Sequence, residues 1–429
     1  MSLKTFKISE ICLIKGGKRL PLGHSLIDEP TKHPYIKARD IRSGKIRQDE
    51  LQFLTEETQV SIKRYVVQTG DVCITIVANI GDVGLVPASL MGANLTENAV
   101  RLTSFGKECD SQYLALLLSQ PSYKQQMEMM AAGAAQAKLG IYKIEELKVV
   151  LPPLPLQKQI AAVLGRYDAL LENYQQQVAA LECLAQEVYQ EWFVRGRGLG
   201  IATGAKKELP AGWRAGKLRE VLDFYIGGGW GQEEPDDAHT VGGHVVRGTD
   251  IPNLKKGQVN LDVYRYHKAS NMGSRELRAG DIVFEVSGGS TDQGLGRNVL
   301  LTDEALARFG DKVMPASFCK LIRADQAKIS PYYLQQLLDH LLATQEMAQF
   351  EVQSTGISNF QFEDFIDYQP VVIPAMEAMD RFDKLVGPMY KKIGILSTQM
   401  ATLRATRDAL LPRLLSGQLA VEALATAEA

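Results

Sequence analysis

Two basic clusters punctuated by glycine stand near the N-terminus: Lys15-Gly16-Gly17-Lys18-Arg19 and Lys37-Ala38-Arg39-Asp40-Ile41-Arg42. Cations beside glycines suit a backbone that must approach phosphate oxygens closely. Residues 1 to 48 hold eleven Lys/Arg against four Asp/Glu, a local positive excess that the net charge of −2 for the whole chain conceals. The chemistry open to such clusters is recognition, with cations on phosphates for register and Arg, Asn or Gln on guanine and adenine edges for sequence. By residue type the candidate contacts in the first half are Lys15, Lys18, Arg19, Lys37, Arg39, Arg42, Asn79, Gln136 and Lys138. In the second half Gly227-Gly228-Gly229-Trp230 and Val246-Arg247-Gly248-Thr249-Asp250 occupy the matching places, and the candidates are Trp230, Arg247, Thr249, Ser290, Arg297 and Asn298. A solvated charged face is the plain alternative for any single cluster. Recurrence at matching places in both halves counts against it.

No catalytic constellation accompanies these residues. Gly16-Gly17-Lys18 lacks the spacing and the following Ser/Thr of a phosphate loop, and no G-x-G-x-x-G opens a helix after a strand. H-E-x-x-H and G-x-S-x-G are absent, and the six histidines lie singly. Pro152-Pro153 is flanked by leucines, so it does not form the Asn/Asp-Pro-Pro-aromatic motif of adenine methyltransferases. The five cysteines (Cys12, Cys73, Cys109, Cys183, Cys319) are scattered without a C-x-x-C pair, which predicts reduced thiols and neither a disulfide framework nor a zinc site. With 45% hydrophobic and 23% charged residues, and no signal-peptide or membrane-length apolar run, the expectation is a cytoplasmic globular binder without metal or cofactor of its own.

The elements that must position the clusters come in duplicate. Asp40-Ile41 recurs as Asp250-Ile251 and Gly70-Asp71 as Gly280-Asp281, 210 positions apart; Tyr113-Leu114 and Met127 recur as Tyr333-Leu334 and Met347, 220 apart. Leu151-Pro152 recurs as Ile373-Pro374. Ordered echoes over a whole chain mean two copies of one module. In the first copy Asp71 to Val77 predicts a strand after a Gly-Asp turn, Ser111 to Met130 a helix, and Leu147 to Leu151 a further apolar run, so the module is α/β or α+β.

After each copy the period becomes helical. Ile160, Leu164, Tyr167, Leu171, Tyr174, Val178, Leu181, Ala185, Val188 and Trp192 alternate four and three apart, an a/d seam that predicts a rod of roughly 60 Å. Phe382, Val386, Met389, Ile393, Leu396, Met400, Leu403, Arg407, Leu410 and Leu414 repeat that seam one for one. The two helices are therefore predicted to pair; seam spacing alone allows a parallel pair, with the modules side by side, or an antiparallel one, with the modules at opposite ends, and an antiparallel coiled coil is the expectation, with Arg407 as a register-setting or partner-contacting interruption. Gly387-Pro388 inside the second seam predicts a kink or a later true start. The predicted layout is a first recognition domain over 1–153, a long helix over 154–195, a linker over 196–212, a second recognition domain over 213–374, a second long helix over 375–417 and a tail over 418–429.

This pattern resembles the DNA-specificity subunit of type I restriction-modification systems over nearly the full chain. The residues that carry the resemblance are Leu151-Pro152-Pro153-Leu154-Pro155-Leu156-Gln157-Lys158-Gln159-Ile160 at the start of the first helix, and Tyr189-Gln190-Glu191-Trp192-Phe193-Val194 near its end. Leu410-Leu411-Pro412-Arg413-Leu414-Leu415-Ser416-Gly417 is similar to the family's C-terminal end, whereas Pro374-Ala375-Met376-Glu377 departs from the first start by lacking its second Pro and its Gln. The resemblance implies a non-catalytic subunit that binds double-stranded DNA at a bipartite, asymmetric target. It also implies assembly with two methyltransferase subunits and with translocase-nuclease subunits, which would hold S-adenosylmethionine, ATP and Mg. Without the resemblance, the residues also fit a coiled-coil scaffold whose two domains bind peptide or RNA.

Overall fold

The computed structural model describes residues 3–132, 137–197, 209–288, 294–354, 357–416 and 418–419. The chain divides into two compact units, Met1–Asp168 with Ala405–Ala429, and Ala169–Arg404.

In the first unit, strand Leu13–Gly16 pairs antiparallel with Ala99–Thr103, which pairs with Val72–Thr75 and through it with Val83–Leu85. Gly44–Ile46 and Ile41–Arg42 extend this sheet, and Pro34–Ile36 joins Asn94–Leu95 in parallel and Gln52–Phe53 antiparallel. A separate two-stranded ribbon, Lys4–Lys7 with Lys148–Leu151, ties the first strand to the last just before the long helix. The second unit repeats this plan. Leu222–Gly227, Cys319–Ala324, Asp281–Glu285 and Asn298–Leu300 form the main sheet; Val241–Val246 pairs in parallel with Val313–Pro315; Arg214–Lys217 and Pro370–Ile373 make the ribbon. A further sheet, Ser287–Gly288, Ile357–Phe360 and Glu351–Ser354, corresponds among the described residues of the first copy only to the isolated antiparallel bridge between Val77 and Lys138.

The sequence echoes are frame residues. Tyr113 and Tyr333, Leu114 and Leu334, and Met127 and Met347 are all at most 1% exposed in their cores. The repeated Gly-Asp turn anchors an ion pair on a buried carboxylate in each copy: Arg101, itself buried, donates to Asp71 at 2.8 Å and the half-buried Arg323 to Asp281 at 2.7 Å. Each carboxylate also accepts a turn N–H, from Gln68 and Arg278 respectively. A charge pair in low dielectric is tolerated because its remaining lone pairs are satisfied this way.

The helix expected over 111–130 is two, Ser111–Leu118 and Pro121–Ala131. Proline has no N–H to continue the first ladder but suits the first turn of the second. The first long helix spans Leu154–Tyr189 and widens into a π turn over Gln190–Val194. Tyr189, 3% exposed, precedes that turn and joins Val188 at the core, while within the turn Trp192 and Phe193 both pack there, the Phe193 ring standing edge-on to Tyr333 and Phe382 at 4.8 and 5.2 Å. The second long helix runs Met376–Leu415 without interruption, so no later start occurs at Gly387-Pro388. Gly387 packs beside the Tyr332 ring, which a Cβ there would meet at an ordinary contact distance of 3.6 Å.

Within each unit the helices pack in antiparallel sense. Ile160 and Leu164, at the start of the first, share the first unit's core with Leu410 and Leu414 from the end of the second. In the second unit Leu171, Tyr174, Val178 and Leu181 cluster with Ile393, Leu396, Met400 and Leu403, while Trp192 meets Phe382 edge-on. Tyr167 is half-buried, and Val386 and Met389 join the second unit's main core. Arg407 reaches across to Asp168 at 2.7 Å, an ionic tie where an apolar contact would otherwise stand. No helix among the described residues is long and apolar enough to cross a membrane.

Candidate nucleic-acid interface

The glycine loops are stitched to the frame by backbone bonds. Gly17 donates to Ala99 O and Lys18 to Leu95 O, so closely that a Cβ on Gly17 would lie 2.0 Å from Thr96 O. Gly228 repeats this in the second copy, donating to Cys319 O with its would-be Cβ 2.2 Å from two carbonyl oxygens. Only glycine permits that approach. The cations beside the first loop are thereby held at the surface: Lys15 and Lys18 are exposed, Lys18 lies 5.8 Å from the Tyr65 ring centre, and Arg19 donates to Glu97 at 2.8 Å.

A second surface feature in the first copy is a small cleft of about 150 Å³ lined by Arg39, Arg42 and Asn79 together with Arg47, Asp49 and Glu50. Arg39, Arg42 and Asn79 are exposed, so the sequence candidates do converge, although they come from loops forty residues apart. Lys37, half-buried, donates through Nζ to Gln52 at 2.8 Å, which leaves two of its three ammonium N–H groups for a further acceptor. Lys138 is exposed and bridges Val77. Gln136 lies outside the described residues, as does Ser290.

The second copy carries a cleft of about 680 Å³ that gathers Trp230, Arg247, Thr249 and Arg297. Arg247 is clamped by Asp250 through Nε at 3.0 Å and Nη2 at 2.9 Å, and Arg297 Nε donates to Glu285 at 2.7 Å. An arginine held on one edge by a carboxylate loses less rotamer freedom when its other edge meets a ligand. Burial alone would raise the Asp250 carboxyl, but hydrogen bonds from Arg247 and Asn260 outweigh it and hold the group below its ordinary range. Gly248 is required for this arrangement, since a Cβ there would stand 2.2 Å from Glu285 Oε1. Trp230, 43% exposed, and Phe318, 59% exposed, offer rings at the mouth, with Arg265 5.1 Å from the Trp230 ring centre. Exposed aromatics beside arginines can stack on bases or wedge between them.

Asn298 requires a correction. It is fully buried, donating to Gly296 O at 3.0 Å and accepting from Gln335 at 2.6 Å, so it supports the strand and presents no edge to solvent. Sequence reasoning missed Glu285, Ser287 and Phe318. A carboxylate closing the apolar run Asp281-Ile282-Val283-Phe284-Glu285 was a usable signal; the exposure of Phe318 had none.

Residues 2–182 match the family described as type I restriction modification DNA specificity domain. The type I restriction enzyme MjaIX specificity subunit of Methanocaldococcus jannaschii is 26% identical over 337 residues, covering 73% of this chain and 70% of that protein. The EcoBI specificity subunit of Escherichia coli is 24% identical over 184 residues, 42% of this chain and 36% of its own length. The solved type I restriction-modification S subunit from M. genitalium superposes with a TM-score of 0.59 at 14% identity, over 96% of both chains, a likeness of fold.

Proposed function

We propose that the chain is a member of the DNA-specificity family of type I restriction-modification systems, which its residues 2–182 match, and that it reads a bipartite, asymmetric duplex target, one half-site per module. The observation that carries the proposal is that one duplicated frame ends in two chemically different clefts, each lined by arginines. In this reading residues 1–153 and 213–374 are the recognition domains, 154–195 and 375–417 are the helices that set the gap, 196–212 links the two halves and 418–429 is a tail.

Lys15, Lys18, Arg19, Lys37 and Lys138 set register on phosphates, while Arg39, Arg42 and Asn79 read one half-site. Arg247, Thr249 and Arg297 read the other with Trp230 and Phe318 against the bases. The chain is the non-catalytic member of a cytoplasmic assembly. Two methyltransferase subunits holding S-adenosylmethionine dock on it, and ATP- and Mg-dependent translocase-nuclease subunits join for cleavage.

The test is to reconstitute the chain with its methyltransferase subunits, map the methylated adenines, and measure affinity for the resulting target as salt rises. Steep loss of affinity with salt and a split target are expected. Equal affinity for unrelated duplexes would overturn the reading. Adding one heptad to both helices, roughly 10 Å of rod, should lengthen the preferred gap and leave both half-sites unchanged.

A further inference from the structure

The loop that follows Gly16-Gly17 ends in a tight turn with a bare side chain at its tip. His24 donates to Pro21 O at 3.1 Å, and Gly23, at φ +85°, lets the chain reverse just after Leu22. Leu22 is fully exposed, more so than any other large apolar side chain among the described residues. A single exposed leucine ordinarily means little. The surroundings of this one set it apart.

The loop is braced on both sides of the tip. Leu20 and Leu26 pack on the buried cluster of Tyr35, Leu54 and Ile62, the Tyr35 hydroxyl donates to Lys18 O at 3.0 Å, and Ile27 exchanges backbone bonds with Phe53 at 3.0 and 2.8 Å. His24 Nδ1 lies 2.7 Å from Thr58 Oγ1, and Asp28 accepts at 2.7 Å from Gln52, the side chain that also holds Lys37. A tip fixed in advance loses little freedom on binding. Lys15 and Lys18, both exposed, precede the tip, and of the carboxylates around it Glu97 is taken by Arg19, Glu56 by His33 and Asp28 by Gln52. An apolar tip beside cations matches a ligand with anionic edges and an apolar interior, which describes stacked base pairs between phosphate strands.

The second copy carries the same device with another side chain. Gly228 matches Gly17 in its close approach to carbonyl oxygens, and counted from those glycines Trp230 falls level with Arg19, and Leu22 level with Glu233, which pairs with Arg265 at 3.0 Å. Each glycine loop thus displays one large hydrophobe, at a different place. Resting on the reading of the chain as a bipartite DNA reader, we propose that Leu22 is the wedge of the first half-site, entering the base stack beside the phosphates met by Lys15 and Lys18 and parting one base-pair step. A leucine bare on every side is covered by a base above and a base below, whereas contact with one thymine methyl would leave most of it in water. The half-site thereby favours a step that unstacks easily, pyrimidine followed by purine, where no hydrogen bond reads the sequence.

The test uses the chain reconstituted with its methyltransferase subunits. Leu22→Ala removes a fully exposed side chain, so its urea unfolding midpoint should match that of the native chain. Affinity for the full target should fall roughly tenfold, the burial of a leucine less the unstacking it causes, while the salt slope stays the same because no phosphate contact is lost. 2-Aminopurine, placed at one position at a time in the first half-site and away from the methylated adenine, should brighten on binding at one step with the native chain and stay dim with Leu22→Ala. Leu22→Met should restore the signal, and deoxyuridine in place of each thymine should leave affinity unchanged. Unchanged affinity in Leu22→Ala, no brightened step, or a step that brightens equally in Leu22→Ala would overturn the wedge. A deoxyuridine substitution that reproduces the loss in Leu22→Ala would assign the leucine to a thymine methyl and also overturn it. Failure of the native complex to prefer its target over unrelated duplexes is a separate outcome, which overturns the DNA reading and the wedge together.

Discussion

The first and second modules share a skeleton and differ in what they display. In both, a Gly-Asp turn carboxylate grips an arginine from the neighbouring strand, a glycine lies against carbonyls at the end of the first sheet strand, and a tyrosine fills the core. Their clefts diverge: the first is small and bordered by exposed charges, the second is about four times larger and fronted by Trp230 and Phe318. The attachment to the long helix differs too. Gln157, fully buried, accepts from Asp110 N and donates to Glu108 O and Pro152 O in the first copy. The second copy has Met379 in the core instead and makes its polar tie from Ser330 to Asp383 at 2.5 Å. Residues agree between copies at the turn, glycine and tyrosine positions of the skeleton and differ in the clefts and in the polar tie to the long helix. A module built this way can change what it reads without changing its fold.

The largest effect should come from breaking the shared skeleton. Asp71→Ala leaves the buried Arg101 guanidinium unpaired and should cost about 3–5 kcal/mol in urea unfolding, whereas Asp281→Ala frees an Arg323 that is only half-buried and should cost about 1.5–3 kcal/mol. A loss in one module and none in the other would break the equivalence. Next come the clefts. Arg247→Ala should weaken binding through one half-site by roughly tenfold to a hundredfold and leave the other intact, and Arg39→Ala should do the reverse. Competition with duplexes altered in one half at a time checks this, and equal loss from both halves would indicate damage to the fold. Lys15→Ala with Lys18→Ala should weaken all sequences alike and flatten the slope of log affinity against log salt by about one per lost phosphate contact.

The smallest effect concerns the paired turn carboxylates. Burial raises the Asp40 carboxyl, which accepts from the Lys37 backbone but has Arg39 only at 3.8 Å, whereas the bidentate Arg247 holds Asp250 below its ordinary value. Asp250 therefore contributes stability above its unfolded pKa, about 3.9, that is lost as pH falls through its lower folded value. Asp40 has the opposite sign: its charged form costs stability, and the cost is relieved as pH falls through its raised folded value. At pH 7, Asp250→Asn should destabilise and Asp40→Asn should stabilise, each by about 1 kcal/mol, in denaturant titrations repeated between pH 4 and 7.

The duplication, the mixed fold of each module and the two paired rods were legible along the chain, because apolar spacing is a local property and buried residues recur under the same constraint. Tyr113 and Tyr333 or Met127 and Met347 could be matched by eye for that reason. The same logic explains why the echoes located skeleton and not site. The clefts form from loops distant in sequence: Asn79 meets Arg39 and Arg42, and Phe318 meets Trp230 and Arg247, through strand order that no local period encodes. Residue type alone proposed Asn298 as a reader, and the fold placed it at the bottom of a hydrogen-bond chain. Spacing alone could not foresee the π turn at the end of the first helix, or that Tyr189 and Phe193 join Val188 and Trp192 on the core. Sequence by itself determined which residues must be inside and how often the pattern repeats. Tertiary structure decided which polar side chains face one another and which are spent on internal partners, since that depends on three-dimensional proximity and on every buried donor and acceptor needing a partner.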